Sequence, residues 1–180
     1  EFRRVLFRSY HGKWSYDIGV VLQGVKEAYH QTKDPVYYDY IKETMDFYIQ
    51  DDGSIKGYQY ESMNIDYVNN GKLLFLLYKE TKEEKYKQAL DLLFQQLENM
   101  PRTSEGGFWH KKIYPNQIWL DGLYMGTPFL AEYLITFKNG QRLEEVIHHF
   151  ELCYNRTLDQ KTGLLYHAWD EKKEIGRAHV

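Results

Sequence analysis

Apolar residues recur at helical spacing in consecutive pairs of segments, and a short polar turn separates the two members of each pair. In the first members the pattern includes Val25 and Ala28 in one pair, and Leu73 and Leu77 in another. No alternating run is long enough for a core strand between the helices, so the pattern predicts an all-α chain of helical hairpins. The apolar positions of the second helices are Tyr38, Ile41, Met45 and Ile49, then Tyr86, Leu90, Leu93 and Leu97, then Leu143, Val146, Ile147 and Phe150.

A repeat supports three such hairpins. An aspartate is followed by a tyrosine 12 residues later and a threonine 15 residues later, and this spacing occurs three times. The first helix of each pair is predicted to run from about the aspartate to the threonine. The segments between hairpins are rich in glycine and aromatic residues and are long enough for short hairpin loops. The three sets are Asp17, Tyr29 and Thr32; Asp66, Tyr78 and Thr81; and Asp121, Tyr133 and Thr136.

Residues that start or interrupt helices refine this prediction. Asp34 and Pro35 are a cap and a first helical residue for one second helix, and Asp17 is predicted to be the N-cap of the first helix. Pro128 lies inside the first helix of the third hairpin. That helix must therefore kink, or restart with Thr127 as its cap and leave Asp121 in a preceding turn.

The two ends of the chain look foreign to the rest. Residues 4–9 and residues 175–180 can each be encoded by a short DNA string. The reverse complement of the first string overlaps the second as one sequence, and this sequence resembles a common sequencing adapter. Residues 1–9 and 175–180 are therefore predicted to be adapter-derived artefacts. The natural stretch is then 10–174, a partial domain, and a signal peptide cannot be judged from it.

Composition excludes several classes of protein. The longest strongly apolar run, residues 73–78, falls far short of the ~20 apolar residues that a membrane span requires. A formal net charge of -3 offers no basic surface for nucleic acid. The single cysteine, Cys153, is predicted to be a small core residue rather than a nucleophile. The 17 tyrosines and 4 tryptophans suit either a helical core or the stacking of sugar rings.

Four blocks of the chain, taken together, resemble glycoside hydrolase family 105, the unsaturated rhamnogalacturonyl hydrolases. The resemblance covers essentially residues 10–174 and implies an (α/α)6 toroid of six helical hairpins, of which the chain holds about three. It also implies hydration of the C4=C5 double bond in unsaturated galacturonyl-rhamnose disaccharides from pectin. The blocks are NIDYVNNGK at 64–72, RTSEGGFWHK at 102–111, WLDGLYM at 119–125 and TGLLYHAWDE at 162–171.

The resemblance assigns catalysis to two aspartates. Asp121 matches the general acid/base, which must be protonated to deliver a proton to carbon. Burial against Trp119 and repulsion from Asp66 are the two forces expected to keep it so. Asp66 matches a second active-site aspartate that orients the attacking water. The competing interpretation of either aspartate is a helix N-cap.

Six further residues are predicted to bind substrate: His110, His167, Trp119, Met125, Tyr16 and Trp14. The two histidines match residues that face the sugar, Trp119 and Met125 match residues that line its site, and the repeat puts Trp14 and Tyr16 at the mouth of the first helix. No cofactor and no metal are predicted. For His148 and His149, one side chain is expected to be solvated, and no carboxylate or cysteine at ligand spacing supports a metal site.

Other functions remain open at this point. An unsaturated glucuronyl hydrolase acting on other lyase products, or a non-catalytic helical-repeat binding module, also fits the sequence. The expected partner is a small oligosaccharide, with no nucleic acid and no membrane, and the oligomeric state is unknown. The family suggests a cytoplasmic location. A half ring is expected to be inactive alone and to expose apolar flanks.

Overall fold

The computed structural model describes residues 12–173 and 175–177. The predicted artefact at 1–9 lies outside the described residues, and of the one at 175–180 the backbone of 175–177 is described, as a short strand. The described helices and strands, in chain order, are α1 Tyr16–Thr32, α2 Pro35–Tyr48, two 3-10 helices at Tyr60–Ser62 and Ile65–Gly71, α3 Lys72–Thr81, α4 Glu84–Asn99, β1 Gln117–Trp119, α5 Leu120–Lys138, α6 Leu143–Thr157, β2 Ala168–Asp170 and β3 Ile175–Arg177.

The predicted all-α class and the three helical hairpins α1–α2, α3–α4 and α5–α6 are confirmed. An isolated antiparallel bridge follows the second helix of each hairpin, at Ile49–Ile55, Arg102–Phe108 and Leu158–Leu165, which confirms the short hairpin loops. Within the described residues, no helix combines the length and the apolar character needed to cross a bilayer.

The repeated Thr-Lys pair explains how the first two hairpins turn. Thr32 donates its hydroxyl to Ala28 O and accepts the N–H of Asp34, and Thr81 makes the equivalent bonds with Leu77 and Glu83. The lysines that follow, at 33 and 82, adopt the left-handed conformation and close the helices. The third hairpin differs, because α5 runs past Thr136 to Lys138 and closes on left-handed Asn139.

The helix starts differ from the prediction in three places. Asp17 lies in the first turn of α1 after the N-cap Ser15, so its assignment as N-cap is wrong. Asp66 lies in the 3-10 helix before α3, and α5 continues through Pro128 from Leu120. Asp121 is therefore in the first turn of α5, and of the two alternatives at Pro128 the restart at Thr127 is wrong. By contrast, Asp34 caps α2 as predicted, accepting the N–H of Val36.

The chain forms two compact units. The first comprises the described residues up to Gln59 together with Tyr67–Leu93, and the second comprises Tyr60–Asp66 and the residues from Phe94 onward. In the first unit α1 packs on α2 and α3. The start of α1 is held by Asn70, which is fully buried: its Oδ1 accepts the N–H of Gly19 and its Nδ2 donates to Ser15 O. Gly19 is required there, because a Cβ would lie 2.4 Å from Asn70 Oδ1.

Replacing Asn70 is expected to destabilise the protein without touching the second unit. Asn70→Ala removes two buried hydrogen bonds and leaves the Gly19 N–H without its acceptor, a loss of about 2–4 kcal/mol in the free energy of unfolding. Urea unfolding of the full-length protein measures it. Asn155→Ala, at an exposed asparagine in α6, is the matched control and should unfold within about 0.5 kcal/mol of the parent. Equal stability of the two variants would contradict the role of Asn70.

In the second unit, three short strands form a small antiparallel sheet in the order β1-β2-β3. Trp119 pairs with Ala168, Ile118 with Trp169 and Gln117 with Asp170. The sheet was not predicted, because strands of three residues carry too little alternation to be recognised.

The sheet also explains which face of α6 is buried. Ile118 and Trp169 pack against Leu152 and Cys153 in one core cluster. The predicted apolar face of α6 is therefore wrong in part: Ile147 and Phe150 are 58% and 48% exposed. The core interpretation of Cys153 is confirmed, since the residue is buried and burial raises the pKa of its thiol to about 11.

Candidate active site

All the residues that converge on the site belong to the second unit. The segment carrying His110 is tied down on both sides, because its N–H donates to Gln117 O at 2.8 Å and its carbonyl accepts the N–H of Ile65 at 3.1 Å. Asn64 then accepts the N–H of Asp66, and the buried Gln96 donates to Asn64 O. These bonds bring Asp66 beside His110.

The start of α5 supplies the second aspartate. α5 approaches the Ile65–Asp66 segment closely, since a Cβ on Gly126 would lie 2.7 Å from Ile65 Cδ1. Asp121 lies in the first turn of α5, and its Oδ1 is buried with no hydrogen-bond partner among the described residues. Donor atoms of Asp66, His110 and Asp121 all lie within 4.8 Å of one another. The structure thus brings together the two aspartates singled out by the sequence, and their catalytic role stays a prediction.

Lys111 gives Asp66 an environment that Asp121 does not share. Asp66 is 6% exposed, and burial alone would raise the pKa of its carboxyl group. His110 Nε2 at 3.3 Å from Oδ1 and Lys111 Nζ at 2.8 Å from Oδ2 outweigh that effect. The pKa of Asp66 is therefore below its ordinary value, and the group is a carboxylate at neutral pH.

An aromatic cluster borders the two aspartates. The His110 ring stacks on Trp119 with centroids 4.3 Å apart and planes 6° apart, and Tyr114 stacks on Trp119 at 4.9 Å. The His167 ring lies 5.2 Å from Trp119, tilted by 59°. Gln117 orients the indole, because it accepts the Trp119 N–H and donates its own amide to Asp170. Tyr114, Trp119 and His167 are partly exposed and can meet a pyranose ring and its hydroxyls, whereas His110 is 2% exposed.

The remaining predicted substrate residues are less well placed for contact with a sugar. Met125 is buried in α5 at 6% exposure. Trp14 and Tyr16 belong to the first unit. Trp14 is 1% exposed, donates its indole N–H to Tyr67 O and packs edge-on against Tyr48, so it is a core residue here and offers no free ring face. Tyr16 is 45% exposed, and its role stays a prediction.

Two features of the site were missed from the sequence. Lys111 ends the block at 102–111 and directly follows His110, but the sequence predicts no role for it. The Asp66–His110–Asp121 cluster has the donor atoms of a metal site, but its members come from three distant segments and no local spacing reveals it.

The histidine pair of α6 needs one correction. His148 is exposed as predicted, with Nε2 2.6 Å from Glu105 O. His149 is buried against Phe108, with ring centroids 4.0 Å apart. A carboxylate does lie one helical turn away from it, since Glu145 Oε1 is 3.8 Å from His149 Nε2. The prediction that no carboxylate lies at ligand spacing from this histidine pair is therefore wrong.

A small pocket with a cavity volume of about 20 Å³ lies beside the cluster. His110 and His149 line it together with Trp119, Gly122 and mostly apolar side chains. Each histidine has a buried ring nitrogen without a hydrogen-bond partner among the described residues: Nδ1 of His110 and Nε2 of His149. The pocket combines apolar walls with a few polar atoms and has room for about one water molecule.

Comparison with known proteins gives consistent similarities. Residues 4–179 match the family model described as Glycosyl Hydrolase Family 88. The unsaturated rhamnogalacturonyl hydrolase YesR of Bacillus subtilis (strain 168) is 28% identical over 167 residues, which are 89% of this chain and 46% of that protein.

Two solved structures are also similar. The family 105 glycoside hydrolase of C. acetobutylicum ATCC 824 is 50% identical with a TM-score of 0.86, over 89% of this chain and 45% of that one. A possible family 105 member from Salmonella enterica serovar Paratyphi A is 25% identical with a TM-score of 0.78, over 91% and 42%. The chain thus spans about half the length of these relatives.

Proposed function

The chain belongs to Glycosyl Hydrolase Family 88, and from that premise we propose that the full-length protein hydrates unsaturated galacturonyl-rhamnose disaccharides at the C4=C5 double bond. The recognition of family 105 from four sequence blocks is confirmed by the 50% identical structure from C. acetobutylicum. The substrate and the hydration chemistry are the proposal, and YesR, whose name is that of an unsaturated rhamnogalacturonyl hydrolase, supports them.

The observation that carries the proposal is the unequal pair of carboxyl groups, of which Asp66 is buried and Asp121 is partly buried. Asp66 is held as a carboxylate by His110 and Lys111, whereas Asp121 has a buried oxygen that accepts no hydrogen bond among the described residues. Two neighbouring carboxyl groups in different environments divide acid and base roles between them. One oxygen of each carboxyl group lies within 4.8 Å of the other.

The proposed reaction adds one water across the double bond. Asp121 gives its proton to C4, positive charge develops at C5, and a water oriented by Asp66 attacks C5 and returns a proton to Asp121. The product at C5 is a hemiketal, which opens to a ketone. The ring oxygen then remains on C1 as a hydroxyl, and the C1 hemiacetal collapses and releases the linked sugar. His110, His167 and Trp119 are proposed to hold the uronate ring during these steps.

Substrate choice must depend on the linked sugar. Galacturonic and glucuronic acids differ in configuration at C4, and this stereocentre is lost when the double bond forms. The unsaturated ring is thus the same whichever acid it came from, and the alternative of an unsaturated glucuronyl hydrolase differs only in what C1 carries. Comparing unsaturated disaccharides with rhamnose and with an amino sugar at that position decides between them.

Isotope labelling tests the hydration chemistry in the full-length protein. Turnover in H2(18)O is expected to place the label on the C5 ketone oxygen, and turnover in D2O to place deuterium on C4, with loss of the ultraviolet absorbance of the double bond. The saturated disaccharide is the control and should not react. Label on the anomeric oxygen with the double bond intact would show displacement at C1 and overturn the proposal.

A further inference from the structure

The Asp66–His110–Asp121 cluster has the composition of a transition-metal site. Two carboxylates and one imidazole offer donor atoms within 4.8 Å of one another. Carboxylate oxygens alone suit Mg²⁺ or Ca²⁺, but an imidazole in the set favours Zn²⁺ and its first-row neighbours. Three protein ligands with a fourth position open is the arrangement of zinc sites that also bind water or a small ligand.

The donor atoms are available to an ion. Asp66 and His110 are 6% and 2% exposed, and Asp66 Oδ1 is buried without a hydrogen-bond partner among the described residues. Asp121 Oδ1 is likewise buried without a hydrogen-bond partner among the described residues. Lys111 contacts Oδ2 of Asp66, whereas His110 Nε2 lies 3.3 Å from Oδ1 without forming a hydrogen bond, so an ion could bind Oδ1 and Nε2 together. Unpartnered buried oxygens are costly, and an ion would remove that cost.

The geometry needs only a small adjustment. With bonds of about 2.1 Å, the donors of a tetrahedral zinc site lie roughly 3.4 Å apart. His110 Nε2 and Asp66 Oδ1 are already 3.3 Å apart. The widest separation in the cluster is at most 4.8 Å, so the donor atoms must approach by up to roughly 1.4 Å to share one ion.

We propose that Asp66, His110 and Asp121 bind one Zn²⁺-type ion, and that this ion inhibits the enzyme by occupying both carboxylates. The inhibitory part rests on the proposed function, in which Asp121 must carry a transferable proton and Asp66 must orient water. An ion coordinated to both oxygens prevents each of these roles. Because ligands must be deprotonated to bind a metal, the affinity falls as the pH is lowered.

Titration of chelator-treated full-length protein with Co²⁺ tests the site independently of activity. One equivalent is expected to bind with the visible absorption of a tetrahedral ion, and Zn²⁺ should displace it. Asp121→Asn and Asp66→Asn should each weaken binding by about tenfold or more. His30→Gln and His148→Asn are controls at exposed histidines and should leave binding unchanged. Circular dichroism shows that each variant is folded.

The outcomes separate this inference from the proposed function. No Co²⁺ binding, or binding that survives both aspartate variants, overturns the metal site and leaves the hydration proposal intact. Zn²⁺ that binds and raises the apparent KM, with reversal by chelator, supports the whole inference. Loss of activity on chelation with recovery on added Zn²⁺ would retain the site but overturn both the inhibition and the metal-free hydration.

Discussion

Asp121→Asn is expected to lower kcat of the full-length protein by about 10³-fold or more while the protein stays folded. The variant keeps the size and the hydrogen-bonding capacity of the side chain but cannot donate a carboxylic proton to C4. Because the alkene carbon is protonated in the step that creates charge at C5, no other group can replace the lost acid without a large penalty. Loss of the double-bond absorbance, followed with an unsaturated galacturonyl-rhamnose disaccharide, measures the rate.

Asp17→Asn is the matched control for this variant. Asp17 occupies the same position of its helix as Asp121, in the first turn, and it also has a buried Oδ1 without a hydrogen-bond partner among the described residues. It should retain most of the activity. If Asp121→Asn kept the parent's rate, or if both variants lost activity equally, the acid/base assignment of Asp121 would fail.

Much of the helical framework is predictable because its signals are local. The Thr-Lys pairs at 32–33 and 81–82 form the same helix end by the same hydrogen bonds. The repeated spacing in the sequence therefore predicted a repeated local structure. Asp34 and Pro35 start α2 for reasons that lie within four residues. Such features need no knowledge of distant contacts.

Features that depend on distant partners were not predictable. The buried face of α6 is decided by the short sheet that packs on it, and strands of three residues give no pattern. Asp121 lies in the first turn of α5 rather than in a turn before it, because the helix continues through Pro128. In both cases tertiary packing overrides a local preference.

The site itself was predictable in part. The two aspartates and His110 were identified through resemblance of whole blocks, and the structure brings their donor atoms together. Lys111 could not be assigned, since a lysine after a histidine is usually solvated and its distance to Asp66 appears only in three dimensions. Trp14 shows the opposite case, because a ring at a predicted site mouth is a buried core residue.

Asp66→Asn is expected to lower kcat by about 10²- to 10³-fold. The carboxylate is the group proposed to orient the attacking water, and an amide removes both its negative charge and one of its two acceptor oxygens. The acid limb of the pH profile of kcat/KM, which reports the ionisation of Asp66 in the free enzyme, should also disappear. Steady-state kinetics on chelator-treated full-length protein, with the melting temperature as a check of folding, measures both effects.

Lys111→Gln is the companion variant to Asp66→Asn. It keeps the Asp66 carboxyl group but changes the pH at which that group ionises. The depressed pKa of Asp66 means that the carboxylate persists as the pH falls, and that activity is lost only when the pH drops through that pKa. Removing the Lys111 ammonium, 2.8 Å from Oδ2, raises the pKa toward its ordinary value. The acid limb must therefore move to higher pH in this variant, while the rate above the limb stays well above that of Asp66→Asn. An unmoved limb would mean that another group controls it, and the proposed role of Asp66 as the ionised partner would have to be given up.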